Sequence, residues 1–206
     1  MHAGKPIIGI AGGIGSGKSF VASLFREAGS YVIDSDAQVR AAYDDPQVKQ
    51  TIQSWWGPQA LKPDGSVDRA WIAEKVFSDS GERQKLENLL HPKVLAARMQ
   101  EMEKVAHEPN VLAFVWDAPL LFEAGLRQLC DVVVFVDSPL ETRLKRVAQT
   151  RGWGAKELAR RENSQWPLDK KQQLSDYTVT NAADAAPVRD QVRELLPRIL
   201  AKFDLG

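Results

Sequence analysis

Five short apolar runs punctuate the chain, at residues 6–11, 31–34, 111–117, 131–137 and 176–181. Runs such as Val111-Leu112-Ala113-Phe114-Val115-Trp116 show no polar alternation, which is the pattern of strands covered on both faces in a parallel sheet. Helical periodicity fills most of the intervals. After the first run, Val21, Leu24, Phe25 and Ala28 recur at i, i+3, i+4 and i+7, and Gly29 stands where a helix would stop. The alternation predicts an α/β fold, a five-stranded parallel sheet flanked by helices.

The spacing is uneven. More than seventy residues without a convincing strand separate the second run from the third. Leu86, Leu89 and Leu90 form one helical stripe there. His91-Pro92 reads as a restart, with Pro92 at a first helical position, and Val94, Leu95, Met99 and Met102 form a second stripe. A loop from Trp56-Gly57-Pro58 to Lys62-Pro63-Asp64-Gly65 breaks the region earlier. Residues 38–109 are therefore expected to form a helical insertion at the C-terminal edge of the sheet, the edge where open α/β folds bind ligands. Trp55, Trp56 and Trp71 fall within it; most such residues are core. The remaining segments, 1–37, 110–145 and 169–206, would make the sheet-bearing core.

The first run passes directly into Gly12-Gly13-Ile14-Gly15-Ser16-Gly17-Lys18-Ser19, which fits G-x-x-x-x-G-K-[ST] with a strand before it and a helix after it. Glycines there let backbone N–H groups converge on a polyphosphate, and the helix N-terminus adds partial positive charge. Gly13, Ile14, Gly15, Ser16, Gly17, Lys18, Ser19 and Phe20 are the expected ATP-binding residues. Lys18 would reach the β- and γ-phosphates and the Ser19 hydroxyl would bind Mg²⁺.

Two strand ends carry carboxylates. The second run closes in Ile33-Asp34-Ser35-Asp36, with Arg40 four residues beyond Asp36. An acid at a parallel strand tip can accept a proton from an acceptor hydroxyl or hold magnesium through water. The third run closes in Trp116-Asp117-Ala118-Pro119-Leu120-Leu121-Phe122-Glu123. Asp117 and Asp137 have similar contexts. Asp117 is preferred as a metal-side acid because its strand is expected beside the first one. Asn181 lies beyond the last strand, where it could meet a base edge or serve a turn.

Charge adds one feature. Lys plus Arg balance Asp plus Glu at 27 each, so no global field favours nucleic acid or an anionic membrane. Residues 141–171 nevertheless hold nine Lys or Arg against four Asp or Glu, a surplus of five. Arg143, Arg146, Arg151, Arg160 and Arg161 lie there, and Gly152-Trp153-Gly154 offers a turn or hinge. A lid over residues 146–168 could bring two or three of these arginines to phosphate oxygens and exclude water. His2, His91 and His107 are scattered and Cys130 is the only cysteine, so no disulfide is possible within the chain and no zinc pattern forms. No signal peptide or membrane span is visible, which makes the cytoplasm the expected compartment.

In this order the segments resemble the dephospho-CoA kinase family over nearly the whole chain. The resemblance is carried by residues 9–19, Asp34-Ser35-Asp36 with Arg40, Leu89-Leu90-His91-Pro92, Asp117 to Glu123, Arg146 to Leu168, and Ser175-Asp176-Tyr177 leading to Asn181. It implies a P-loop kinase fold with a helical CoA domain and a lid, and transfer of the γ-phosphoryl of ATP to the 3′-hydroxyl of dephospho-CoA. By position it implies Asp34 as base and Lys18 and Arg146 as catalytic groups, with Arg146, Arg151 and Asn181 on ATP. Asp34, Asp36, Arg40, His91, Pro119 and Leu120 would face the acceptor, with Mg²⁺ at Ser19 and Asp117. The chain departs from the family pattern at Ala11, Phe20, Ser35, Arg143 and Ala182. A nucleoside or nucleotide kinase of the same architecture would need the same loop, acid and lid. A guanine-specific switch would need N-K-x-D, and the chain has none.

Overall fold

A computed structural model describes residues 1–182 and 184–204. The chain divides into two compact units, Met1–Asp34 with Met102–Gly206, and Ser35–Glu101.

The first unit is built on five strands, β1 (Ile7–Gly12), β2 (Ser30–Asp34), β3 (Ala113–Asp117), β4 (Val132–Asp137) and β5 (Tyr177–Thr180). They lie in the order β2-β3-β1-β4-β5, and every pairing is parallel. The five apolar runs thus locate all five strands. The third strand starts later than its run, because Leu112 is exposed and only Ala113–Asp117 pairs. Ile8, Ile10, Val115, Val132, Val134 and Val136 pack against Val21, Leu24 and Phe25 of α1 (Lys18–Glu27) and against Val192, Leu196 and Ile199 of α9 (Ala185–Ala201). Each such side chain, fully buried, contributes about 1.5–3 kcal/mol. Phe20 is half-buried and joins this cluster from behind the loop. Helix α1 ends where Gly29 takes φ +97°, with its N–H donating to Arg26 O. On the other face of the sheet Trp116 is fully buried and its Nε1 donates to Met102 Sδ at 3.4 Å. Cys130 is buried too.

The second unit holds α2 (Ser35–Asp44), α3 (Pro46–Trp56), α4 (Arg69–Ser78) and most of α5 (Ser80–Val105). Asp45 and Asp68 cap α3 and α4 by accepting from Gln47, Val48, Ala70 and Trp71 N–H groups. Val48, Ile52, Trp56, Ile72, Leu86 and Leu90 form its core. Trp56 stands 5.7 Å from Trp55 and 6.3 Å from Trp71, so the three indoles form one cluster. Two expectations need correction. The chain does not restart at His91-Pro92; α5 runs through, with Pro92 inside it. Pro92 and the residue four before it, Asn88, whose carbonyl a proline leaves unbonded, are both exposed. Leu86, Leu90 and Val94 meanwhile hold the helix on its core. Within the second stripe Met99 is exposed, and the buried neighbour is Arg98.

Candidate active site

The phosphate loop follows β1 at the carboxyl edge of the sheet. Gly17 caps α1 in a left-handed conformation, φ +88°, and offers the first turn no side-chain cap. A helix amino end in this form is open to an anion. A Cβ on Gly17 would meet Asn181 Nδ2 at 2.3 Å, so both backbone and space require glycine. The Lys18 ammonium lies over its own loop, donating to Gly13 O at 2.8 Å and Gly12 O at 3.2 Å. Burial pushes its pKa down from 10.5 to about 8. Asp117 opposes that shift, Lys171 and Arg151 add to it, and Glu123 opposes it weakly.

Strand register sets the acids. Asp117 of β3 lies beside Ile10 of β1 on one side and beside Asp34 of β2 on the other. The two carboxyl-bearing residues therefore occupy neighbouring strand tips next to the loop. The preference for Asp117 over Asp137 needs a different reason from the one sequence supplied. Both β3 and β4 flank β1, so adjacency does not choose between them. What distinguishes Asp117 is Asp34 beside it, whereas Asp137 lies beside Thr180. Asp34 is exposed and Asp117 half-buried. Asp36, Arg40 and His91 are exposed on the helical unit, and Pro119 and Leu120 are exposed just after β3.

Two expected ATP ligands bond the backbone of the loop itself. Arg146 lies on α6 (Leu140–Arg151). Its Nη1 donates to Ser16 O at 3.1 Å and Ser138 Oγ at 3.2 Å, and its Nη2 donates to Asn181 Oδ1 at 2.9 Å. Asn181 is buried and donates from Nδ2 to Ser16 O at 2.7 Å. The bonds in place tie Arg146 and Asn181 to one another and to the Ser16 carbonyl of the loop. Together they brace the loop through the Ser16 carbonyl. Arg151 is exposed at the end of α6, 4.7 Å over the Trp153 ring.

The segment expected to be a lid, residues 146–168, begins inside the last turns of α6 and holds α7 (Ala155–Glu162). Its positive surplus is partly neutralised from within. Arg160 and Arg161 both bond Glu157 and hold its carboxyl down at about 2. Arg143 is buried and pairs with Glu162. A Cβ on Gly13 would come within 3.1 Å of Arg143 Nη1, 3.2 Å of Leu168 Cδ1 and 3.3 Å of Glu162 Oε1. Residues 162–168 therefore return directly onto the phosphate loop.

Some polar residues escaped the sequence reading. Lys171, counted only as part of a charged stretch, is 1% exposed and bonds Glu123 at 2.7 Å. In the helical unit, Arg98 donates to Ser35 Oγ at 2.8 Å and Gln38 Oε1 at 3.3 Å, and Gln38 donates to Glu101 at 2.9 Å. Burial of a charge has no local sequence signature. Only the apolar neighbours Leu90, Val94 and Met102 hinted that Arg98 shares a covered helix face.

Among the described residues no group of three or more His, Cys, Asp or Glu could hold a metal by itself. The oxygen donors of Ser19 and Asp117 suit a hard divalent cation that takes its other ligands from phosphate and water. No helix among them is long and apolar enough to cross a membrane.

The sequence profile of the dephospho-CoA kinase family matches residues 6–186. The dephospho-CoA kinase of Anaeromyxobacter dehalogenans is 37% identical over 92% of this chain and 90% of its own length. That of Geobacillus kaustophilus is 35% identical over 96% of each. Among solved structures, TT1252 from Thermus thermophilus superposes with a TM-score of 0.82 at 32% identity, covering 96% of this chain and 97% of its own. The dephospho-CoA kinase of Campylobacter jejuni does so with a TM-score of 0.69 at 25% identity, covering 95% and 97%. Phosphate loop, parallel sheet and near full-length likeness agree, and the chain belongs to the dephospho-CoA kinase family.

Proposed function

We propose that the chain transfers the γ-phosphoryl group of ATP to the 3′-hydroxyl of dephospho-CoA, giving coenzyme A and ADP. The observation that carries the reading is the loop with its uncapped helix end beside neighbouring strand-tip acids, Asp34 and Asp117. Phosphoryl transfer asks a protein mainly for placement and charge stabilisation. Loop N–H groups and Lys18 hold the β- and γ-phosphates. Arg146 and Asn181 keep the loop rigid through the Ser16 carbonyl, and Arg151 stands at the end of α6 to meet a phosphate oxygen. Asp34 accepts the hydroxyl proton as the ribose oxygen bonds phosphorus and the bond from phosphorus to the ADP oxygen breaks. Ser19 and Asp117 would hold Mg²⁺, which when bound neutralises charge developing between the β- and γ-phosphates.

The helical unit, carrying Asp36, Arg40 and His91, takes the acceptor in this reading, with Pro119 and Leu120 at the edge of the core. The substrates are soluble metabolites and the reading places the protein in the cytoplasm. The test is an ADP-release assay with dephospho-CoA set against a panel of nucleosides and nucleoside monophosphates, followed by location of the new phosphate. Release dependent on dephospho-CoA, with phosphate on the 3′-oxygen, is expected. Turnover of a nucleoside with none of dephospho-CoA would transfer the assignment to another small-molecule kinase.

A further inference from the structure

One carboxylate joins the loop after β3 to the end of the expected lid and the helix that follows it. Glu123 Oε1 accepts from Lys171 Nζ at 2.7 Å and from Trp166 N at 2.8 Å. Lys171 Nζ also donates to Gln165 Oε1 at 3.1 Å. The Phe122 and Trp166 rings stack beside this joint, with centroids 5.9 Å apart and planes 19° from parallel. Lys171 itself sits on α8 (Leu168–Gln173), whose first residue, Leu168, lies against the phosphate loop at Gly13.

The energetics of this joint point away from simple stabilisation. Taking an ammonium and a carboxylate out of water costs much of what their attraction returns, so an apolar pair would hold the fold as well. Glu123 Oε2 is also buried with no hydrogen-bond partner among the described residues. An unmatched buried oxygen is a further cost that a plain structural clamp could avoid. What the pair does supply is direction. Two strong bonds to one oxygen fix residues 165–171 against the loop that continues from Asp117. The same two charges also act on Lys18.

We propose that Glu123 and Lys171 are positioning residues for phosphoryl transfer, an ion-paired joint that fixes residues 162–171 at a set height over the phosphate loop. The joint deepens the kinase reading and rests on it. It makes the return segment and the loop close on nucleotide as one piece. The contribution is to the transition state, because loop N–H groups and Lys18 hold ground-state phosphates without it.

The test compares Glu123→Asp with the paired variant Glu123→Gln/Lys171→Met. Aspartate keeps the charge but is one methylene too short to meet both donors; the paired variant removes both charges and leaves none buried alone. The paired variant is expected to keep the native melting temperature within a few degrees, and Glu123→Asp, which leaves a buried donor poorly matched, to lower it further. Both are expected to lose about 10–100-fold in kcat, with KM for ATP within about twofold. Acceptor-independent ATP hydrolysis, as a fraction of turnover, should rise as water enters. Native kcat in either variant overturns the proposal, and so does a loss of kcat that follows melting temperature across the set.

Hydrogen exchange separates this failure from failure of the kinase reading. A non-hydrolysable ATP analogue should protect residues 162–173 in the native chain whatever the acceptor proves to be, and that protection should fall in Glu123→Asp. Equal protection in the two proteins overturns the joint. Absence of dephospho-CoA turnover by the native chain, with the protection difference intact, overturns only the acceptor.

Discussion

In the proposed mechanism two residues carry the chemistry. Asp34 is exposed at the tip of β2, beside Asp117. As the positioned base it should contribute about 10²–10⁴-fold to turnover. Asp34→Asn is expected to lower kcat by that span while nucleotide affinity, measured by titration, stays within about twofold. Near-native turnover would remove the base from Asp34. Lys18 offers a test by pH. Its ammonium is depressed from 10.5 to about 8 in the folded protein, burial being the first cause. Without nucleotide the folded state therefore sheds this proton before the unfolded state does. The burial penalty weighs fully below about pH 8 and is relieved as pH rises toward 10.5, so this group alone makes stability climb with pH across that window. Phosphate reverses the preference by favouring the charged amine. ATP binding near pH 8–9 should take up a proton, and affinity should fall as pH rises through about 8. Calorimetry in buffers of different ionisation enthalpy reads the uptake directly. Lys18→Met should abolish it, and an uptake that survives in that variant would assign the proton elsewhere.

At the scale of elements, the strand, loop and helix from Ile7 to Glu27 are legible because local and global demands coincide. Apolar run, glycine spacing and helical stripe all name the same boundaries. Gly17 shows how tightly. A side chain there would strain a backbone at φ +88° and collide with Asn181 at 2.3 Å. Gly17→Ala is expected to cost about 1–2 kcal/mol from backbone strain alone, and to weaken ATP binding at least tenfold because the loop must shift. An unchanged melting temperature with native ATP affinity would contradict that packing. Helix α5 shows the opposite case. His91-Pro92 looks like a helix start, yet tertiary packing of Leu86, Leu90 and Val94 carries the helix through it. Proline in a helix interior is about 3 kcal/mol worse than alanine, and part of that is offset because proline stiffens the unfolded chain. Pro92→Ala should stabilise by about 2 kcal/mol, read as a rise of roughly 4–8 °C in melting temperature for a chain of this length. A fall would mean that the Pro92 ring makes contacts the helix needs. Lys171, Arg98 and Arg143 were illegible for a related reason. Composition records their charge, but only the packed fold reveals that each is buried.

For the molecule as a whole, the question is whether each substrate addresses one compact unit. The loop, its braces Arg146 and Asn181, and the return segment all belong to Met1–Asp34 with Met102–Gly206. Asp36, Arg40 and His91 belong to Ser35–Glu101, which has its own core around Val48, Ile52, Trp56 and Ile72. A ligand that binds only the folded form adds about 2.7 kcal/mol at one hundred times its dissociation constant, and exchange-competent opening slows where that ligand sits. Saturating ATP should therefore slow amide exchange in residues 12–28, 138–151 and 162–173, with little change in α3 and α4. Dephospho-CoA alone should slow exchange in the helical unit, above all in α2 and the middle of α5 around His91. The tryptophans divide evenly for a second readout, with Trp55, Trp56 and Trp71 in the helical unit and Trp116, Trp153 and Trp166 in the other. With Trp153 and Trp166 replaced by phenylalanine, emission comes from the helical cluster and buried Trp116, and should then respond to dephospho-CoA but not to ATP. If dephospho-CoA protects only the sheet-bearing unit and leaves helical emission unchanged, the acceptor role of Ser35–Glu101 is wrong even though the chain is a kinase.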